Sequence, residues 1–305
     1  MKNSAFTAYI DLITSAILFG LLVFGGKLMS LHGFSLLQII ILPGVIVVIC
    51  LIWFVKDDFQ RFYSFPWWIV LLYPLSSILI QLGQFAPLFL GLSVSLTVFL
   101  LYTQPLWTIL FSTVFLRSKF TRQDGIVTLI MFSGLVLLLK PWENLSFSAA
   151  GFTLAVLGGA GLSGWIILNS SVFIPQGIKP LSLTFFENLY ASLPFLLAYP
   201  LIAHFTSAPG IIGFSLDKPY ADLIAVVFYS LTVYIAAQVL FYNAAKSINN
   251  VVLGLVLLLE PAVAAILDVS FLGTVLTWNI ACGGLLIIGT NIWLILSASD
   301  RAIRK

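Results

Sequence analysis

Charge is what this sequence has least of. Asp, Glu, Lys and Arg make up 8% of its 305 residues, where a soluble domain carries about 25%. A chain of this length with so little charge cannot cover a water-facing surface, which excludes an ordinary soluble fold. Cysteine and histidine occur twice each. Two cysteines exclude a disulfide scaffold and a cysteine-based metal site. His32 and His204 read as interfacial residues rather than metal ligands. No metal and no cofactor is expected. Net charge is +3 and the basic residues are thinly spread, so nucleic acid is not an expected partner. Strand-like alternation is missing as well. Runs such as IIILPGVIVVICLIWFV (39–55) do not alternate, which argues against a transmembrane barrel.

What the sequence has is apolar length. It is 61% hydrophobic, with mean hydropathy +1.12. A helix needs about 20 apolar residues to cross a bilayer. Ten such stretches can be counted, at 6–28, 34–55, 66–89, 93–116, 122–140, 149–173, 180–204, 219–244, 248–272 and 277–297. Short connections join them. The first has no small-residue cleavage site and reads as an uncleaved helix. The expectation is an all-α membrane protein.

Orientation follows from the basic residues. With the N-terminus in the cytoplasm, 11 of the 14 Lys and Arg fall at cytoplasmic ends. They are Lys2, Lys56, Arg61, Arg117, Lys119, Arg122, Lys179, Lys246, Arg301, Arg304 and Lys305. Lys140 and Lys218 remain outside, and Lys27 ends the first stretch. The positive-inside rule favours this orientation, with both termini cytoplasmic. Six tryptophans agree: Trp53, Trp67, Trp68 and Trp293 fall at cytoplasmic ends, Trp142 and Trp278 at outer ends. Indoles prefer the headgroup level. Trp107 and Trp165 land inside the bilayer instead.

The chain also repeats itself. Aligning Pro105 with Pro261 gives an offset of 156 residues, 261 − 105. Phe85 then meets Phe241, Leu101 meets Leu257, Phe115 meets Phe271 and Thr121 meets Thr277. Residues 115–121, FLRSKFT, carry Arg117 and Lys119; residues 271–277, FLGTVLT, carry no charge. Five spans per half is an odd number, so the second half enters from the opposite side. The first turn then lies in the cytoplasm and keeps its cations, and the second lies outside, where positive charge is disfavoured. The expected architecture is ten transmembrane helices as two inverted five-helix repeats, 6–140 and 149–297. Such repeats are a signature of secondary transporters, with a site near the midplane.

The segments QPLWTILFSTVFLRSKFT (104–121) with DGIVTLIMFSGLVLLLKP (124–141), and EPAVAAILDVSFLGTVLT (260–277) with NIACGGLLIIGTNIWL (279–294), carry a resemblance. Proline, apolar helix, short turn, Thr, then a helix with small residues is similar to the EamA-type family of the drug/metabolite transporter superfamily. The resemblance implies a secondary active transporter in the cell (inner) membrane, alternating access around a central cavity. It implies a permease that exports small metabolites, amino acids or related amines. Lipid-moving, nucleotide-sugar and drug transporters of the same fold are the alternative. Two family features are missing: the turns lack the family's Glu, and 34–55 contains no Arg. The expected partners are a small-molecule substrate, the lipid bilayer and protons.

Charges inside a bilayer cost about 2.5–3.5 kcal/mol each on insertion scales, so they face a cavity or one another. Glu260 lies at mid-depth and precedes Pro261; its repeat mate Gln104 precedes Pro105. Each proline removes a donor and frees the carbonyl four residues back, of Leu101 and Leu257. A carboxylate at such a break suits proton coupling or a ligand ammonium; a structural hydrogen bond is the competing reading. Asp268 suits an outer vestibule or a structural bond. Glu187 suits gating, because helices two and seven line the cavity's side openings in the family. Lys27 either snorkels or pairs with an acid, and Asp11 reaches the headgroups.

Polar residues also form stripes at helical spacing. Ser77, Gln81 and Gln84 form one, Ser230, Tyr234, Gln238 and Tyr242 another, and Trp165 with Asn169 a third. With Tyr102 and Trp107 these are candidates to line the cavity; interhelical bonding explains the same stripes. GGAGLSG (158–164) reads as close helix packing. An intramembrane protease needs a Ser–His or paired-Asp arrangement, and neither is visible, so no enzyme and no catalytic residue is expected. Single cysteines introduced at positions 118 and 274 should react with impermeant maleimide from opposite faces of the membrane. Labelling from one face would remove the opposed threading.

Overall fold

The computed structural model describes residues 2–90, 92, 94–117, 121–143, 148–205, 209–215 and 217–303. Lys119, Arg304 and Lys305, counted above as cytoplasmic cations, lie outside them. The fold is all-helical, 84% helix with no strand among the described residues. Nine helices among these residues are long and apolar enough to cross a membrane. The chain is therefore a multi-pass helical membrane protein. The stretch expected as a tenth span is helical over Trp278–Ile303, but its described apolar part, Trp278–Trp293, is shorter than the other nine.

The helices run α1 (Lys2–Leu31), α2 (Leu36–Leu51), α3 (Lys56–Tyr63), α4 (Trp67–Phe89), α5 (Val94–Leu101), α6 (Gln104–Leu116), α7 (Arg122–Leu139) and α8 (Ala149–Leu168). They continue α9 (Pro180–Phe205), α10 (Pro209–Ile212), α11 (Tyr220–Tyr229), α12 (Ile235–Ala245), α13 (Asn250–Val256), α14 (Leu259–Phe271) and α15 (Trp278–Ile303). Two expected spans are thus broken. The 93–116 stretch splits into α5 and α6, and 248–272 into α13 and α14. Both breaks lie just before a proline, where a backbone donor is lost, although Pro43, Pro74, Pro87, Pro194 and Pro200 are held inside continuous helices. Tight bonds three residues apart bridge them: Thr103 N–H to Leu100 at 3.1 Å, Leu106 to Thr103 at 2.9 Å, Leu258 to Leu255 at 3.1 Å and Glu260 to Leu257 at 3.0 Å. Two further spans contain π-helical turns, Asn169–Phe173 after α8 and Ser230–Tyr234 between α11 and α12.

Helix pairing sets the interior. α1 packs on α12 and α14; α8 packs on α4, α5 and α6; α2 packs on α9, and α7 on α15. The α4–α8 contact is the closest. A methyl group on Gly83 would run into Gly158 of α8, and one on Gly158 would lie 2.7 Å from Gly83 Cα. With lipid outside, tight van der Waals packing is what holds such helices together. Gly159 lies one residue on, and a methyl there would press to 2.7 Å from the Leu101 carbonyl.

α3 was not expected; it lies in the short connection between the stretches 34–55 and 66–89. KDDFQRFY is amphipathic, with Asp57 and Asp58 in its first turn and Arg61 in its last. It packs Phe62 into the core, stacked on Phe186 at 3.9 Å and Phe173 at 4.9 Å. The six tryptophans assigned to the headgroup level are all exposed, whereas Trp165 is buried and Trp107 half-buried.

Gly83→Ala should lower stability in detergent by about 1–3 kcal/mol, the usual cost of overpacking. Gly284→Ala, where the new methyl meets nothing within 4 Å, should stay within about 0.5 kcal/mol of the parent. Equal thermal unfolding of the two variants would contradict the close α4–α8 contact.

Candidate functional site: two carboxyl groups in the helix bundle

Asp268, Glu260 and Glu187, among the acids on the membrane-spanning helices, have three different environments. Asp268 on α14 is paired: Lys27 Nζ of α1 donates to its Oδ2 at 2.6 Å. Lys27 therefore takes the second of its two expected roles. Its charge and that of Asp268 offset each other, which lowers the cost of carrying both near the apolar zone.

Glu260 is different. It stands in the first turn of α14, immediately after the α13–α14 break, and is half-buried. Among the described residues it has no basic partner. The Tyr102 hydroxyl, at the α5–α6 break, faces its carboxyl, and Tyr234 and Tyr229 lie within electrostatic range. Tyr234 ends the π-helical turn Ser230–Tyr234. Such turns widen a helix locally and recur at functional sites. Tyr229 donates to the Leu22 carbonyl at 2.6 Å and stands edge-on to Tyr234, 5.4 Å between rings. The two breaks and one π turn thus bring Glu260, Tyr102 and Tyr234 together from distant parts of the chain. An acid ringed by tyrosines can hold an ammonium group by charge and by ring faces.

Glu187 on α9 centres a second cluster. It is buried, and Ser77 Oγ of α4 donates to its Oε2 at 2.9 Å. Tyr73 and Trp165 face the same carboxyl, and Tyr242 lies within electrostatic range. Trp165 stacks on Phe241 at 4.8 Å. Its indole N–H, the Tyr242 hydroxyl and the Asn169 amide oxygen are buried without a hydrogen-bond partner. Asn169 opens the π turn after α8 and donates back to the Trp165 carbonyl at 2.8 Å. One turn away, Asn188 Nδ2 donates to Gln238 Oε1 at 2.9 Å.

The remaining candidates separate from these clusters. Gln104 is fully buried and turns to its own helix, Nε2 donating to Thr108 at 2.6 Å, with Gly254 of α13 alongside. Its Oε1 has no partner. Trp107 packs on Phe111 of α6 at 5.7 Å. Gln81 and Gln84 are half-buried on α4. Tyr73 and Asn188 were not among the sequence candidates. Tyr73 lies one turn before Ser77 and extends the Ser77–Gln81–Gln84 stripe, and Asn188 adjoins Glu187, so both signals were present. Cys50 and Cys282 are free and exposed.

No family model matches this chain and no curated protein matches it. Among solved structures, the chain is similar to a protein of known crystal structure, with TM-score 0.72 over 95% of this chain and 98% of the other. Sequence identity is 17%, so the likeness concerns the fold alone. Because α1 and α14 meet through Lys27–Asp268, Lys27→Met and Asp268→Asn should each destabilise the detergent-solubilised protein. The double variant should be more stable than the two losses predict, by roughly 0.5–1 kcal/mol. Strict additivity would mean that the pair is not formed.

Proposed function

We propose that this chain is a secondary active transporter of the EamA type, within the drug/metabolite transporter superfamily. In this reading ten spans form two inverted five-helix repeats, 6–140 and 149–297. The protein sits in the cell (inner) membrane with both termini cytoplasmic. It exports small amphipathic metabolites, amino acids or related amines, by alternating access around Glu260.

The observation that carries the reading is the setting of Glu260: a half-buried acid without a basic partner among the described residues, at a helix break, facing Tyr102 across a second break. Broken helices at the midplane are where secondary transporters hold substrates and coupling ions. The helix pairings support the opposed halves. Exchanging each span with its mate five spans away turns the α1–α12 pair into α8–α4 and the α1–α14 pair into α8–α6. The α2–α9 and α7–α15 pairs map onto themselves. The breaks at Leu101 and Leu257 are mates too. On charge alone, an unpaired acid favours a cationic or zwitterionic solute over an anionic one.

Proteoliposomes with an imposed pH gradient should accumulate a radiolabelled amine or amino acid from a test panel. Glu260→Gln should abolish the gradient dependence or cut uptake about tenfold or more, the effect of losing a charge-assisted bond worth 1.5–3 kcal/mol. Unchanged pH dependence in this variant would take Glu260 out of the coupling role. Movement of labelled lipid between leaflets, with no solute uptake, would favour the lipid-moving alternative.

A further inference from the structure

One end of the bundle is closed by aromatic rings. Phe62 of α3 stacks on Phe186 and Phe173, and Tyr73 stands edge-on to Phe62 at 5.5 Å and to Phe173 at 5.1 Å. Above this stack the Tyr63 and Tyr190 hydroxyls share a hydrogen bond of 2.7 Å. Asp58, buried beneath α3, accepts from the Lys179 N–H at 3.1 Å and Ser182 Oγ at 2.7 Å at the start of α9. Arg61 donates to Asp58 and to the Gly177 carbonyl at 3.1 Å. This seal lies on the side that the basic residues assign to the cytoplasm.

Glu187 sits directly beneath it. Phe186, its neighbour, is a seal ring, and Tyr73 belongs to both the ring stack and the carboxyl cluster. Groups near the carboxyl come from three helices. α4 gives Ser77 and the titratable Tyr73, α12 gives the titratable Tyr242, and α8 gives Trp165; Asn169, after α8, faces Tyr73 instead. α2 carries no titratable residue but the exposed Cys50. No basic side chain pairs with Glu187 among the described residues. Ser77, Tyr73 and Tyr242 hydroxyls can donate, and an indole N–H can only donate.

We infer that Glu187 is a second proton-binding site, separate from Glu260, whose ionised form holds the cytoplasmic seal shut and whose protonation releases it. A carboxylate is an acceptor at both oxygens and can draw donors from α4, α8 and α12 onto α9 at once. Adding a proton turns one oxygen into a donor, so a hydroxyl that donated to it must turn to accept, and an N–H facing it is opposed. The buried Trp165 N–H cannot reverse its polarity to suit. Tyr73 transmits the change, because the same side chain faces the carboxyl and packs the ring stack. The inference rests on the membrane orientation of the proposed transporter, but on neither Glu260 nor any particular substrate.

The test reads the seal directly, in the full chain in lipid nanodiscs with Cys50 and Cys282 replaced by Ala. Thr184 is fully buried on α9, one turn from Glu187 toward the seal. Thr184→Cys should react slowly with a water-soluble maleimide above neutral pH and much faster in acid, after normalisation to a cysteine at the exposed position 60. Glu187→Gln should label at the fast rate at every pH, about tenfold or more above the parent at alkaline pH. Ser77→Ala and Trp165→Phe each remove one donor, and each should raise labelling at neutral pH. They decide the matter if Glu187→Gln does not fold. Glu260→Gln should keep the parent's pH dependence. PH-independent labelling of the parent, or an unchanged acid response in Glu187→Gln, overturns the inference. Loss of the acid response in Glu260→Gln alone also overturns it, while leaving the Glu260 reading standing.

Discussion

A peptide carbonyl set free inside a bilayer has no water to turn to, so protein must meet it or the break cannot persist. Two prolines, Pro105 and Pro261, create that demand at matching places in the two halves, and the surrounding helices are arranged to answer it. Gly159 of α8 lets that helix lie against the Leu101 carbonyl, while in the second half the Glu260 N–H meets the Leu257 carbonyl at 3.0 Å and Gly20 lets α1 lie close against the start of α14. Any larger residue at either glycine would push the neighbouring helix away. The α8–α6 and α1–α14 pairings lie beside the two breaks. Once the breaks are covered, the side chains beside them, Tyr102 and Glu260, are held at fixed positions facing one another. The candidate site is a by-product of satisfying the backbone.

Features that depend on local chemistry were readable from the sequence. Pro105 and Pro261, each after a polar side chain at mid-span, mark breaks that lie just before them, whereas Pro43, Pro74, Pro87, Pro194 and Pro200 lie inside continuous helices. Tryptophan placement separated six exposed indoles from Trp165 and Trp107. Features that depend on a partner far along the chain were not. KDDFQRFY falls in a connection between two apolar stretches, and eight residues with four charges resemble a surface loop. Its role appears only when Phe62 finds Phe186, 124 positions on, and Asp58 finds Ser182. Lys27 had two readings, and nothing near it in sequence chose between them; Asp268 lies 241 residues away. Trp107 is a different case. Its depth marked it, but depth does not say which way a side chain points, and it packs along its own helix.

The two ends of the bundle are built from similar parts. The third residue of α9, Ser182, is bound by Asp58 from the α2–α4 connection. The third residue of α2, Gln38, donates to the Ser215 carbonyl, in the connection before α11, at 2.6 Å. Lys218 then caps the Gly33 carbonyl at 2.6 Å, and His32 meets Asp222 at 3.0 Å. Each end is therefore clasped by a connection from the other half of the chain. The clasps differ in depth. That at α9 carries a column of stacked rings down to Glu187, whereas that at α2 consists of polar contacts with exposed partners.

That difference matters for the two unpaired acids. Glu260 is half-buried and Glu187 buried, although both sit on apolar helices with no basic partner among the described residues. Burying an unpaired charge is costly unless several hydrogen bonds replace water. At Glu187 the Ser77 hydroxyl supplies one hydrogen bond and side chains of α4, α8 and α12 surround the carboxyl, so the charge is tied to their relative positions. At Glu260 the replacement is sparse: one facing tyrosine, others at longer range, and partial exposure. An acid whose surroundings are already complete responds to helix movement, and one whose surroundings are incomplete responds to whatever enters beside it. The same residue type thus acquires a conformational role at one depth and a ligand-binding role at the other.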